Sequence, residues 1–289
     1  MERMNVAGAI DLHIHTNPDL IDRIGDDRDI VRNALAAGML GVQLKGHSEP
    51  TVSRAILMRK EFPGIHVFGG IVLNRYVGGI NPYAVETALK KGGKSVWMPT
   101  VDANYHAKKY GRTGRYTVQE LDAKGSEVGI TILDEDGRLI EAVFEVLDLV
   151  SQFDAVLGTC HLSPEEIVKL IDAARARKVQ KILLTHPFVK VPGVTIEFLQ
   201  TVIPKGVIAE FGYCTISPMW ADAKIDYVRD AIKTLGAGNC VIMSDTGQIH
   251  NAWPHEALRI FAQSLYEKGV TQKELETMMI ANPRQLMGI

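Results

Sequence analysis

The chain has 289 residues, with 32 basic against 34 acidic side chains and a formal net charge of −2 at pH 7. No long run of one sign occurs, which argues against a nucleic-acid footprint or a polybasic membrane patch. With 46% hydrophobic and 23% charged residues it is not a disordered chain, and it can fill one large α/β domain over 1–289. Its apolar stretches are too short for a transmembrane helix, and Met1-Glu2-Arg3-Met4-Asn5 lacks the apolar segment of a signal peptide. Cys160, Cys214 and Cys240 form no CxxC pair, which fits a reducing compartment. The expectation is a cytoplasmic protein that acts on a small molecule, without nucleic-acid or membrane partners. A homo-oligomer is compatible with all of this.

Short β-branched runs alternate with helical patterns. Residues 8–15 (GAIDLHIH) read as a first strand and 26–38 as a helix ended by Gly38. A strand over 41–45, a helix over about 51–62 and a strand over 65–73 follow. Asn81 and Pro82 open a helix that runs to 91, and the fourth strand is 95–101. The segment 102–137 then breaks the rhythm. Asp136-Gly137, between Ile130-Thr131-Ile132-Leu133 and Arg138-Leu139-Ile140, reads as a hairpin. It has too few apolar residues for a core of its own, so 102–140 is an insertion after strand four and a candidate lid, with Tyr105, His106, Tyr110 and Tyr116.

A helix over 141–152 leads to a strand over 155–160. Ser163-Pro164-Glu165-Glu166 has the spacing of a capping box with proline in the first helical position, for a helix reaching 178. Strands over 181–185, 206–211 and 240–244 complete the series, and the last of two closing helices starts at Thr271. Eight strand-then-helix units indicate a (β/α)8 TIM barrel, distorted by its insertion. A doubly wound sheet would carry phosphate-binding glycines after the first strand, where this chain has His-Ile-His-Thr-Asn-Pro.

Barrel active sites lie at the C-terminal ends of the strands. Those ends here hold His13 and His15, Lys45 and His47, Asp102, His161, His186, Glu210 and Asp245. His13 and His15 stand two apart on a strand, so both imidazoles face one side and can grip one cation; two half-exposed histidines on an edge strand would give the same letters. Asp245 ends an apolar strand, where a carboxylate is costly unless paired or bound to metal. Its other role would be a helix cap, yet the next helix is expected only near Pro254. Lys45, between Leu44 and Gly46, lies at the barrel mouth, and Glu210 is a candidate to orient a ligand histidine or to contact substrate. Arg75, Arg112 and Arg115 are candidate clamps for a substrate carboxylate or phosphate. Cys160 and Cys214 read as core or pocket-lining residues.

An HxH in strand one, single histidines ending strands five and six and an aspartate ending strand eight resemble the amidohydrolase superfamily of metal-dependent barrel hydrolases. The tail Asn282-Pro283-Arg284-Gln285-Leu286-Met287-Gly288-Ile289 is similar to the ending common there. The DLHIHT of 11–16 and Lys45-Gly46-His47 resemble the polymerase-and-histidinol-phosphatase hydrolases. The segment 158–187, with 244–248, is similar to a little-characterised bacterial group related to the amidohydrolases. The resemblance implies that His13, His15 and Asp245 hold one divalent metal, zinc first with manganese or iron as alternatives, and that His161 and His186 hold a second. The superfamily's bridging residue is missing at strand four, and Gly70-Ile71-Val72 stands where the second family has a glutamate. Lys45 as a carbamate or Asp102 as a carboxylate is left to bridge, or else a single ion works with Lys45 or His47 polarising the substrate.

The implied activity is hydrolysis of an amide, cyclic amide, lactone or ester by a metal-activated water, with Asp245 moving the proton and Lys45 or His47 steadying the oxyanion. A phosphoesterase, a decarboxylase or other carbon–carbon lyase, and a barrel that only binds metal are the alternatives.

Overall fold

Parallel strands alternate with helices along the chain, in a computed structural model that describes residues 3–114 and 125–289. Arg115 and Tyr116, singled out from the sequence, lie outside the described residues. The strands are β1 (Ile10–Ile14), β2 (Gly41–Leu44), β3 (His66–Phe68), β4 (Gly70–Val72), β5 (Ser95–Trp97), β6 (Val156–Gly158), β7 (Lys181–Thr185), β8 (Val207–Gly212) and β9 (Cys240–Met243). They pair in chain order, β1 to β3 in one sheet and β4 to β9 in another.

The expected third strand is thus two. The chain breaks pairing at Gly69, where a Cβ would lie 2.7 Å from the Thr51 carbonyl oxygen and from the Val52 Cα. Thr51 fills the gap, its N–H donating to the Gly70 carbonyl at 3.0 Å while its hydroxyl accepts from the Gly70 N–H at 3.1 Å. With β3 and β4 counted as one position, the ring has eight. The seam between β1 and β9 is closed by backbone: the Asp245 N–H donates to His13 O and the His15 N–H to Thr246 O, each at 2.9 Å. Ile14 and Thr246 form a parallel bridge there.

The helices are α1 (Asp27–Ala36), α2 (Val52–Glu61), α3 (Pro82–Lys90), α4 (Asn104–Tyr110), α5 (Glu141–Gln152), α6 (Pro164–Ala176), α7 (Ile196–Val202), α8 (Ile225–Leu235), α9 (Pro254–Glu267), α10 (Gln272–Glu276) and α11 (Asn282–Met287). Their ends follow the sequence signals. Ser163 with Glu166 and Thr271 with Glu274 form capping boxes, and the Asn81 side chain accepts from the first-turn N–H groups of α3. None of the described helices is long and apolar enough to cross a membrane.

Two apolar layers result from strand alternation. Leu157, Ile182, Leu184 and Ile242 pack outward against helix residues such as Val146, Leu170 and Phe261. Ile10, Leu12, Val156, Leu183 and Val241 form a second cluster with Leu286 and Met287 of α11, which fills the ring below the strand ends. The insertion departs from expectation. Leu133 and Leu139 make a single antiparallel bridge around the Asp134–Gly137 turn, in place of a longer hairpin, and α4 precedes it, buried through His106 and Ala107.

Gly247 sits at the seam with φ +137°, and a Cβ there would fall 1.9 Å from the His15 carbonyl oxygen. Gly247→Ala is expected to cost about 3 kcal/mol, several degrees of thermal midpoint. Gly238→Ala, with nothing within 4 Å of its new Cβ, should change little. Equal midpoints for the two variants in differential scanning calorimetry would refute the tight seam.

Candidate metal centre

Five strand ends, those of β1, β2, β6, β7 and β9, converge on one cavity, lined in part by His13, His15, Lys45, His161, His186 and Asp245. β1 carries an extra residue relative to β2 between Asp11 and Ile14. This bulge lets Leu12 join the cluster below while His13 and His15 both reach the cavity, as their spacing predicts. Two side chains of the cavity wall come from a left-handed backbone, His186 at φ 31° and Asp245 at φ 50°, while Cys160, at φ 49°, packs in the core against Val72 and Trp97. Such conformations cost non-glycine residues roughly 1–3 kcal/mol each and gather at functional sites.

His13 Nε2 and His15 Nε2 each lie 3.2 Å from Asp245 Oδ1. Among the described residues these form the one group of three whose ligand atoms all fall within 4.8 Å of one another. Burial lowers the pKa of both imidazoles well below the usual value, reinforced at His13 by Lys45 and at His15 by Arg23, so both present neutral lone pairs. The Cys214 thiol donates to Asp245 Oδ2 at 2.9 Å, which leaves Oδ1 to the imidazoles. Burial also pushes the Cys214 pKa well up, which keeps the sulfur protonated as a donor.

Behind the cluster lie two buried carboxyl groups. Asp11 Oδ1 accepts from the N–H groups of His13 at 3.2 Å and Ser244 at 3.1 Å, tying β1 to the end of β9. Glu210 Oε2 stands 3.5 Å from His13 Nδ1, on the far side of the ring from Asp245, and is no part of the cavity wall. It is therefore placed to orient His13 rather than to touch substrate. Burial raises Asp11 to about 7 and Glu210 to about 8.

The donor set fits a divalent transition metal: two neutral imidazoles and a carboxylate, with the outer nitrogen of His13 facing a carboxyl. His13 Nδ1, His15 Nδ1 and both Glu210 oxygens are buried without a hydrogen-bond partner, a costly state for an ion-free site. One contact competes. Lys45 Nζ lies 3.0 Å from His13 Nε2, on the lone pair an ion would take, so an ion must move the ammonium aside.

Four further histidines, His47, His106, His161 and His186, lie around this cluster. The His186 ring lies 5.9 Å from His13 and 5.1 Å from His161, centre to centre. His161 Nδ1 is 2.8 Å from Nδ1 of His106, a residue of α4 that is itself stacked on Tyr110. One nitrogen of His161 is thus committed to the insertion. His47 stacks on His15 at 4.6 Å, with Nδ1 2.9 Å from Thr100 Oγ1. Burial lowers His47 and His161 well below the ordinary range and His186 to about 4.

Arg75 and Asp102 are brought together with each other and not with the cluster. Arg75 Nε lies 3.1 Å from Asp102 Oδ1, the Arg75 N–H donates to Oδ2 at 3.0 Å, and both line a separate depression beside Thr113. Asp102 is thereby spent on a cation and bridges nothing at the histidines. Arg23 and Trp220 line the cavity unannounced. Nothing in their local sequence separates them from solvated loop residues, and only the loop's return to Gln248 places Arg23 there.

No protein of curated function matches the chain in sequence. Solved structures match in fold over nearly the whole length. An amidohydrolase from Pseudomonas aeruginosa superposes with a TM-score of 0.65 at 11% identity, covering 97% of each chain. The 2,6-dihydroxybenzoate decarboxylase from Rhizobium gives 0.62 at 10% identity, over 98% of this chain and 99% of that one. A phosphotriesterase homology protein from Escherichia coli, complexed with phosphate in its active site, gives 0.60 at 15% identity over 98% and 99%. The (β/α)8 barrel fold expected from the alternation of strands and helices is therefore shown. In sequence, residues 8–210 match the model of a family of unknown function, DUF6282, and the chain belongs to that family.

Proposed function

We propose that this protein is a metal-dependent hydrolase that cleaves an amide, cyclic amide, lactone or ester bond of a small molecule. One observation carries the reading: His13, His15 and Asp245 offer three ligand atoms within 4.8 Å at the mouth of the ring. A divalent cation held there, zinc foremost and manganese or iron as alternatives, would polarise a carbonyl and make water acidic enough to attack at neutral pH. His161 and His186, in the same cavity, are assigned as further ligands to this ion or a second one.

The chain's own groups do the remaining work. Asp245 takes the proton of the attacking water and returns it to the leaving group, with Cys214 holding Oδ2 so that Oδ1 keeps its direction. Lys45, whose ammonium lies 3.0 Å from His13 Nε2, would steady the developing oxyanion, and His47, stacked on His15, would assist. The apolar walls formed by Val189, Val191 and Trp220 exclude water from the charged groups. The fold shared with an amidohydrolase supports this reading.

Elemental analysis tests the metal. Wild-type protein is expected to hold zinc or manganese, His13→Ala to lose it, and His186→Ala to keep it at least tenfold more weakly. Full wild-type metal content in both variants would remove the metal centre. A substrate screen tests the chemistry, using lactones, cyclic amides and carboxylic esters beside a generic phosphate ester, with either metal added. Turnover is expected on the carbonyl compounds, and Lys45→Met should lower kcat by about 100-fold, the usual loss for one oxyanion donor. Turnover of the phosphate ester alone would make the protein a phosphoesterase instead.

A further inference from the structure

We propose that Arg23 anchors a carboxylate of the substrate, so that the site selects small organic acids with an apolar body. The inference rests on the cavity being the active site and names the substrate class for it. Arg23 reaches the cavity from the loop between β1 and α1, beside His15 and His47, with its side chain only 1% exposed. A buried guanidinium needs partners for its five N–H donors. Asp19 meets part of that need through a single oxygen: Nε donates to Oδ2 at 2.8 Å, and Nη2 lies 2.6 Å from the same atom. The two donors of Nη1 are not used by this contact.

The loop is fixed before any ligand arrives. The Arg23 N–H donates to Asn17 Oδ1 at 3.3 Å, and Asn17 Nδ2 donates back to the Arg23 carbonyl at 3.2 Å. Arg23 bridges Gln248, and the Ile24 N–H donates to Gly247 O at 2.7 Å, so the guanidinium is tied to the segment that carries Asp245. Preorganisation of this kind removes the ordering cost of binding. Charge decides which anion fits. Asp19 already offsets most of the guanidinium's charge, and Asp245 lies in the same cavity, so a singly charged carboxylate is accommodated better than a phosphate dianion. Ile21, Val189, Val191 and Trp220 supply the apolar wall for the rest of the molecule.

A bland role for the pair exists, since Arg23 and Asp19 also staple the loop. The two roles predict opposite behaviour for the counter-ion variant. Titration calorimetry of the full chain with benzoate, benzamide and phenyl phosphate, in EDTA and again with zinc, separates them. Wild-type protein should bind benzoate saturably and benzamide at least tenfold more weakly, in both conditions. Arg23→Gln should lose tenfold or more in benzoate affinity, the loss expected for one charge-assisted bond, and Arg23→Lys should recover part of it. Asp19→Asn, which unmasks the guanidinium, should bind benzoate several-fold more tightly, whereas a mere staple would leave its affinity unchanged or weakened. Equal benzoate affinity in wild type and Arg23→Gln, no benzoate binding in wild type, or tighter binding of phenyl phosphate would overturn the proposal. Benzoate binding that depends on Arg23 in a protein that takes up no metal would support the anchor while removing the hydrolase reading.

Discussion

The seam between the first and last strands is the constraint on which both fold and site depend. Two backbone hydrogen bonds, Asp245 N–H to His13 O and His15 N–H to Thr246 O, close the ring. The same two bonds fix the register that brings Asp245 Oδ1 within 3.2 Å of both imidazoles across 230 residues of chain. Asp11 ties the seam a third time through Ser244, and the bare Cα of Gly247 is what permits so close an approach to His15. A site assembled on the closure of the barrel inherits its rigidity, which a metal centre or a catalytic carboxylate requires.

That placement has a price in desolvation. His13, His15, Asp11 and Glu210 are all buried, and burial pushes the imidazoles toward their neutral form and the acids toward theirs. Neutral imidazoles are the form that ligates a cation, so the burial that destabilises charge also prepares the ligands. Lys45 and Arg23 bring positive charge to the same cavity, each held against a nearby partner. The unpartnered outer nitrogens and the Glu210 oxygens mark where the protein holds polar groups without satisfying them, as functional sites do.

Much of this was legible in the letters. Alternating strand and helix patterns yielded the barrel, Ser163 with Glu166 and Asn81 with Pro82 marked their helices, and the residues ending strands named His13, His15, Lys45, His161, His186 and Asp245 before any geometry. Arg75 and Asp102 show where strand-end reasoning overreaches. Both are near a strand end, but the direction of a side chain beyond a strand depends on the loop, and here the two satisfy each other. His106 shows the reverse. It lies in a segment without periodic pattern, and only the packing of α4 brings it to His161.

The sequence by itself determined the order of elements, the helix caps and the facing of His13 and His15, because these depend on local hydrogen bonding and on the two-residue period of a strand. Tertiary structure alone decided the split at Gly69, the gathering of the His13, His15 and Asp245 ligand atoms, the retreat of Glu210 behind His13 and the entry of Arg23 into the cavity. Each of these follows from contacts between segments far apart in the chain, in steric fit or in the pairing of buried charge, and no local pattern encodes them.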